Sequence, residues 1–153
     1  MYDTPTPKSR ADARIEALLR ETEARLRRQN QVLVDLARRP SIHAGNLAEA
    51  LREITEAAAQ TLEVERVSVW FFTDDRTALH CSDVYERSSA RHIPNAEELQ
   101  AANHPIYFRA LEAERTITAS DAQRDPRTSG FNNYHHAVGI TSVIDAPIRR
   151  LGS

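Results

Sequence analysis

The sequence predicts an α+β domain, an antiparallel sheet with helices packed mainly on one face, preceded by one long helix of coiled-coil type. Three observations predict it. Residues 10–39 hold no Gly or Pro and repeat apolar residues at helical spacing. "RVSVWFF" (66–72) and "ALHCSDVY" (78–85) are short β-rich runs on either side of an Asp74-Asp75 turn. Beyond them, two Pro-marked helix starts alternate with two short β-branched runs. The order read off is helix, helix, strand, strand, helix, strand, helix, strand.

Length and composition narrow the classes. With 153 residues there is room for one domain and a substantial core. A formal net charge of −2 argues against a nucleic-acid partner, whose phosphates favour a basic surface. Cys81 is the single cysteine, so no internal disulfide forms and a reducing compartment is the simpler expectation. "MYDTPTPKSRADAR" lacks the apolar core of a signal sequence, and no apolar run reaches bilayer-spanning length. A soluble, cytoplasmic chain without membrane insertion is expected.

Residues 1–9, with two prolines among small polar residues, read as a disordered leader. Residues 10–39 form the long helix. Ile15, Leu19, Thr22, Leu26, Gln29, Leu33 and Leu36 recur at alternating spacings of four and three, the seam of a heptad interrupted by two polar residues. Glu16 with Arg20, Glu21 with Arg25 and Glu23 with Arg27 add i,i+4 support. Two readings stay open: an amphipathic helix lying on its own domain, or the seam of a parallel homodimer through Ile15, Leu19, Leu26, Leu33 and Leu36.

Residues 40–153 make the domain proper. Pro40 stops the first helix and "SIHAGN" makes a loop, with Asn46 placed to cap the next helix. In "LAEALREITEAAAQTL" the apolar face is Leu47, Leu51, Ile54, Ala58 and Leu62, and Ala50 falls off it. The unbroken apolar run of residues 66–72 suggests burial on both faces, and it forms a hairpin with residues 78–85. "ERSSARHIPNAEE" is a polar loop with room for a short strand. In "NHPIYFRALEAER", Asn103 or His104 caps and Pro105 takes the first helical position. Residues 116–121 are a short strand. In "DPRTSGFNNYHHAVG", Asp125 caps, Pro126 follows and Gly139 ends the helix. Residues 142–148 alternate as a last strand, and "RRLG" reads as the start of a hairpin.

Little here suggests catalysis. No Gly-rich phosphate loop, Gly-x-Ser-x-Gly elbow or His-Glu-x-x-His occurs. His135 and His136, adjacent on a helix, point about 100° apart and cannot ligate one metal as an i,i+4 pair does. Cys81 has no neighbour in sequence that would stabilise a thiolate, so a small core residue is expected rather than a nucleophile. Asp121 and Asp125 suit turn and cap duties.

Three separated stretches, "LEVERVSVWFFTDD", "HPIYFRALEAERTITASDAQRDPRTSGF" and "YHHAVGITSVIDAPIRRLG", resemble a bacterial GAF domain across about residues 45–152. The most telling pieces are the strand from Arg66 to Trp70, the "ASDAQRDPRT" turn and the "GITSVIDAPI" strand. The resemblance implies a small-molecule-binding or dimerising regulatory module. Such modules stand upstream of output domains such as histidine kinases, diguanylate cyclases, phosphodiesterases or enhancer-binding activators. In that family "APIRRLG" is followed by a further strand and a last helix, so the chain is expected to be a piece of a longer sensor, incomplete at its C-terminal side.

The signatures of the family's better-known ligands do not match. Cys81 lies in the second strand, away from the attachment position of bilin-binding members. One cysteine is too few for the methionine sulfoxide reductase branch. Asn132-Asn133 are not followed by the Lys of the cyclic-nucleotide motif, and His80, His104, His135 and His136 carry nothing that marks a haem ligand. The cofactor is therefore unknown from the sequence. Alternation along residues 66–72 puts Ser68, Trp70 and Phe72 on one face and Val67, Val69 and Phe71 on the other, which the helical layer is expected to cover. With Tyr107 and Tyr134 from the later helices, Ser68, Trp70 and Phe72 are the pocket candidates. The alternative is that these side chains fill core, leaving a ligand-free dimerisation and relay module.

Overall fold

The computed structural model describes residues 9–43, 45–94 and 98–149. Helix α1 (Arg10–Ala37) starts at a reciprocal cap: the Ser9 hydroxyl oxygen accepts from the Asp12 N–H, and the Asp12 carboxylate accepts from the Ser9 N–H. It packs against α3 (Leu47–Leu62), yet none of its residues is buried. Thr22, Gln29 and Leu36 are half-covered, whereas Ile15, Leu19, Leu26 and Leu33 remain 53–64% exposed. The charge pairs Glu16 with Arg20 and Glu23 with Arg27 are in place at 3.8 Å, solvated and hence weak.

The connection to α3 differs from the expected loop. Pro40 opens a short helix, α2 (Pro40–His43), because a residue lacking an N–H suits a first helical position as well as a stop. Ser41 donates to Glu53 at 2.6 Å and Arg39 lies 3.5 Å from the same carboxylate, tying α2 to α3. Asn46 caps α3 as expected, accepting from the Glu49 N–H.

The buried face of α3 overturns the pattern-based expectation. Ala50, Thr55 and Ala59 are buried, while Leu47 and Leu62 stay mostly exposed and Ile54 is at the margin. Small side chains let a helix backbone approach its neighbours closely, and Thr55 meets a polar partner there. The larger residues are left outside.

Strands β1 (Arg66–Phe72), β2 (Ala78–Glu86), β3 (Arg91–His92) and β4 (Glu98–Gln100) form an antiparallel sheet. β3 and β4 pair with successive parts of β2: Tyr85 faces His92 and Leu79 faces Leu99. The turn between β1 and β2 is built on Asp75, whose carboxylate accepts from the Thr77 N–H and from the hydroxyls of Thr73 and Thr77. Those bonds, the Thr77 N–H first, hold the carboxyl below its usual range. β1 is not buried on both faces: Ser68 and Phe71 are exposed. Among the described residues β1 pairs with β2 alone, and an edge strand has one side open.

By compactness the chain divides into two units, Met1–Val69 with Ser82–Asn95, and Trp70–Cys81 with Ala96–Ser153. The first holds a polar cluster. The Thr55 hydroxyl donates to Asp83, and His92 Nδ1 lies 3.0 Å from both oxygens of the same carboxylate. Arg66 pairs with Glu86 beside it in the strands.

The second unit contains α4 (Pro105–Ala113), β5 (Ile117–Ala119), α5 (Asn132–Ala137) and β6 (Val143–Asp145). β5 and β6 pair antiparallel as a separate two-stranded ladder, with Ile117 opposite Asp145. His104 caps α4 through its carbonyl, which accepts from the Phe108 N–H. Asp125 does not cap α5. Residues 125–128 turn, a 3-10 segment Ser129–Phe131 follows, and the helix begins at Asn132. Arg127 captures the Asp125 carboxylate through Nε and Nη2, at 2.9 and 2.6 Å, while its Nη1 reaches Glu114 at 2.6 Å. Gly139, at φ 71°, provides the left-handed turn that ends α5. Arg149 donates to the carbonyls of Leu111, Glu112 and Glu114 at the end of α4. The rest of the expected hairpin start, residues 150–153, lies outside the described residues.

The apolar centre of this unit is Leu79, Phe108, Ala110, Leu111 and Ile117, with Trp70, Phe72, Leu99 and Tyr107 packed against it. The α+β class, the antiparallel pairing and the long leading helix follow the sequence reading. No helix of the described residues is long and apolar enough to cross a membrane.

Candidate functional site

The site sits in the second unit, and α4 places its centre. Pro105 fixes the first turn, so Tyr107 and Phe108 lie side by side, with Phe108 buried in the apolar cluster and Tyr107 at its margin. Phe72 meets Phe108 edge to face at 5.9 Å. The Phe131 ring is the hub of a second layer: it stacks on His104 at 4.3 Å, meets Tyr107 edge-on at 4.9 Å and lies 6.0 Å from His135. Aromatic pairs at such separations favour these offset and edge-on arrangements.

Polar groups are set into this apolar frame. The Tyr107 hydroxyl donates to Asp145 Oδ2 at 3.1 Å, joining α4 to β6. Burial pushes the Asp145 carboxyl above its usual range, with the Tyr107 bond acting in the opposite sense. Burial, and then the nearby Asp145 charge, push the Tyr107 phenol up. His104 and His135 are both pulled below the usual imidazole value by burial, His135 also by its neighbour His136. His135 is only 5% exposed, whereas His136 points outward, the divergence expected of adjacent helical residues.

In this unit, two buried side-chain atoms have no hydrogen-bond partner among the described residues: His135 Nδ1 and Asn132 Oδ1. The Asn132 amide nitrogen is used, donating to the Gln123 carbonyl at 3.0 Å. An acceptor buried without a partner is costly, on the order of 1–3 kcal/mol, so each such atom calls for an explanation.

Of the residues the sequence singled out, Trp70, Phe72 and Tyr107 come together, half-buried against one apolar cluster. The Trp70 and Phe72 side of the strand thus packs on the cluster, while Phe71, expected to meet the helical layer, is exposed and lies 5.9 Å from the His80 ring. Tyr134 is half-buried on α5, its ring 6.2 Å from His135. Ser68 is exposed and belongs to the other compact unit. Cys81 is half-buried on β2. Asp145, Phe131 and the buried role of His135 escaped the sequence reading. A signal for Asp145 existed: an acid alternating with Val143 in an otherwise β-branched strand takes the inward side of the pleat.

Among the described residues no group of three or more His, Cys, Asp or Glu side chains is arranged to hold a metal ion. The arrangement suits binding: an apolar bed, a half-buried acid and two polar atoms awaiting partners. Comparison with curated proteins returns no match, and comparison with solved structures returns none. The model of the GAF domain family matches residues 46–153, which takes in both compact units from α3 onward. With that match over most of its length and the expected α+β architecture, the chain belongs to the GAF domain family, whose members are regulatory and sensory modules.

Proposed function

We propose that this chain is the sensory module of a bacterial, cytoplasmic signal-transduction protein. It binds a small ligand at the face formed by Trp70, Phe72, Tyr107 and Asp145 and passes the event to an output domain elsewhere in the parent protein. It is not an enzyme by itself in this reading. Tyr134 remains a candidate at the margin of the ligand face. The observation that carries the reading is the pair of buried, partnerless polar atoms, His135 Nδ1 and Asn132 Oδ1, beside an aromatic cluster. Such atoms call for a partner from outside the chain, and a ligand with polar groups supplies one. Thermal melting across a metabolite panel tests this, since a ligand that binds only the folded chain raises the melting temperature. A panel that leaves the melt unmoved refutes it.

Self-association through α1 is the second part of the proposal. Ile15, Leu19, Leu26 and Leu33 are exposed along one stripe of a helix with no buried residue, and Leu36 continues the seam. A parallel, in-register pair also sets Thr22 against Thr22 and Gln29 against Gln29, polar facing polar. Leu26→Glu should halve the molar mass measured by light scattering, and an unchanged mass speaks for a monomeric helix. Ala50→Glu, an obvious control from the sequence pattern, is unsuitable because Ala50 is buried.

The alternative, a ligand-free relay with a filled core, draws on the closed Tyr107 to Asp145 hydrogen bond and on the complete burial of Ile117 and Ala122. The same melting panel separates the two readings.

A further inference from the structure

We infer that a second copy of this chain docks on α1 and α3 together, so that two helix pairs close into a four-helix bundle. The inference rests on the self-association proposed above and adds α3 to its interface.

The seam of α1 is divided between two neighbours. Thr22, Gln29 and Leu36 form one of its rows and are half-covered, as is Val32 beside them. Leu19, Leu26 and Leu33 form the alternate row and stay 53–64% exposed. Leu18, also beside the seam, is exposed as well. Leu18 and Val32 make the apolar face wider than the stripe of a two-stranded coil, and a wider face is the pattern of a bundle helix.

α3 repeats the arrangement. Glu53 marks its side toward α1 and α2, since Ser41 and Arg39 meet there, and Thr55 marks its side toward the sheet through Asp83. At 3.6 residues per turn, Leu47, Leu51, Ile54 and Ala58 fall between those two sides. Leu47 and Leu62 are 60% and 58% exposed, and Ile54 is at the margin. Arg39, just past the end of α1, meets the first half of α3, so α1 runs back along α3 in the opposite direction. On each helix the open row is reached by turning in one sense from the side that faces the other helix, from Thr22 to Leu26 and from Glu53 to Ile54. Between antiparallel helices, equal turns bring both rows to one side of the pair.

Area and charge select the occupant. α1 has 28 residues and α3 has 16, so at about 1.5 Å per residue and about 10 Å of width they offer faces of about 420 and 240 Å². A stable interface takes about 800 Å² from each partner. α1 alone presents about half of that, and both helices together approach it before side-chain relief is counted. Glu16 with Arg20 and Glu23 with Arg27 are already paired along α1, so a second copy brings little unpaired like charge. Apolar rows of one kind meet their own copy about a two-fold axis.

Leu47→Glu combined with Leu62→Glu tests the part played by α3. Both side chains are exposed, so circular dichroism should show the fold unchanged. Light scattering should show the dimer dissociation constant rising about a hundredfold or more, because four leucines per dimer lose their cover. A dimer that survives this change but is broken by Leu26→Glu is held by α1 alone, which overturns the inference and keeps the self-association reading. A wild-type chain that is monomeric at every concentration measured overturns both. A second measurement puts no charge in the interface: spin labels on Gln60→Cys, in a Cys81→Ser chain, report the separation of the two α3 helices. With about 10 Å between neighbouring axes, a bundle keeps the labels within about 30 Å, whereas a two-stranded coil with α3 outside sets them about 40 Å apart or more. The longer separation overturns the inference.

Discussion

The two compact units are held together by different physics. In the first, the buried positions are mostly small or polar: Ser41, Ala50, Thr55, Ala59, Val84 and Tyr85. Its long-range ties are directional, with Thr55 and His92 meeting on Asp83 and with Ser41 and Arg39 meeting on Glu53. Most of its leucines stay exposed, Leu19, Leu26, Leu33, Leu47 and Leu62 among them. The second unit reverses this. Phe108, Leu111, Leu79 and Ile117 supply apolar volume, and polar atoms are drawn into it, two of them without partners. Apolar surface left outside suits association and polar capacity left inside suits a ligand, so the contrast separates the two halves of the proposed function.

The largest effect should come from the apolar centre. Phe108→Ala removes a buried ring that touches Phe72 and Tyr107 and should cost about 3–5 kcal/mol in urea unfolding. A loss under about 1 kcal/mol means that the centre is not the main source of stability in this unit. The matching test of the first unit is Asp83→Ala, which strips the shared acceptor from Thr55 and His92. About 2–3 kcal/mol is expected, and Thr55→Val, which keeps shape and loses one bond, should cost about 1 kcal/mol.

Arg127→Gln sharpens the comparison within the second unit, whose own directional ties include Arg127 to Asp125 and Glu114. The Arg127 guanidinium holds the Asp125 carboxyl down at about 2. A group depressed in the folded state stabilises it above the unfolded carboxylate value, and that contribution fades as pH falls through about 2. In the variant, Asp125 followed by NMR should titrate in the ordinary carboxylate range, and the wild-type advantage at neutral pH should vanish in acid. An Asp125 titration unmoved by Arg127→Gln contradicts this.

The smallest expected effect concerns the imidazoles. Burial depresses His104 and His135, so the unfolded chain takes up protons first as pH drops. Stability should therefore be full above about 6.5, the unfolded imidazole value, and decline as pH falls below it. His104→Asn combined with His135→Gln should flatten that slope in melts taken from neutral to mildly acidic pH. An unchanged slope moves the pH dependence to other groups.

Much of the chain was legible without a structure because local rules act through near neighbours. Asn46 and Pro105 mark where α3 and α4 begin, Gly139 marks where α5 ends, and the Asp74-Asp75 turn fixes the hairpin. The bounds of α3 and β1 follow from composition and spacing within a few residues of each position. The three stretches that resemble the GAF family agree with the family match. What stayed hidden was decided by partners far along the chain. Thr55 is buried because Asp83 stands 28 residues later, and Asp145 faces inward because Tyr107 lies 38 residues before it. Periodicity names two candidate faces of a helix but carries no information about which neighbour arrives, or how close it comes. On α3 the small residues won that choice, since close approach and one hydrogen bond outweighed the area of three larger side chains.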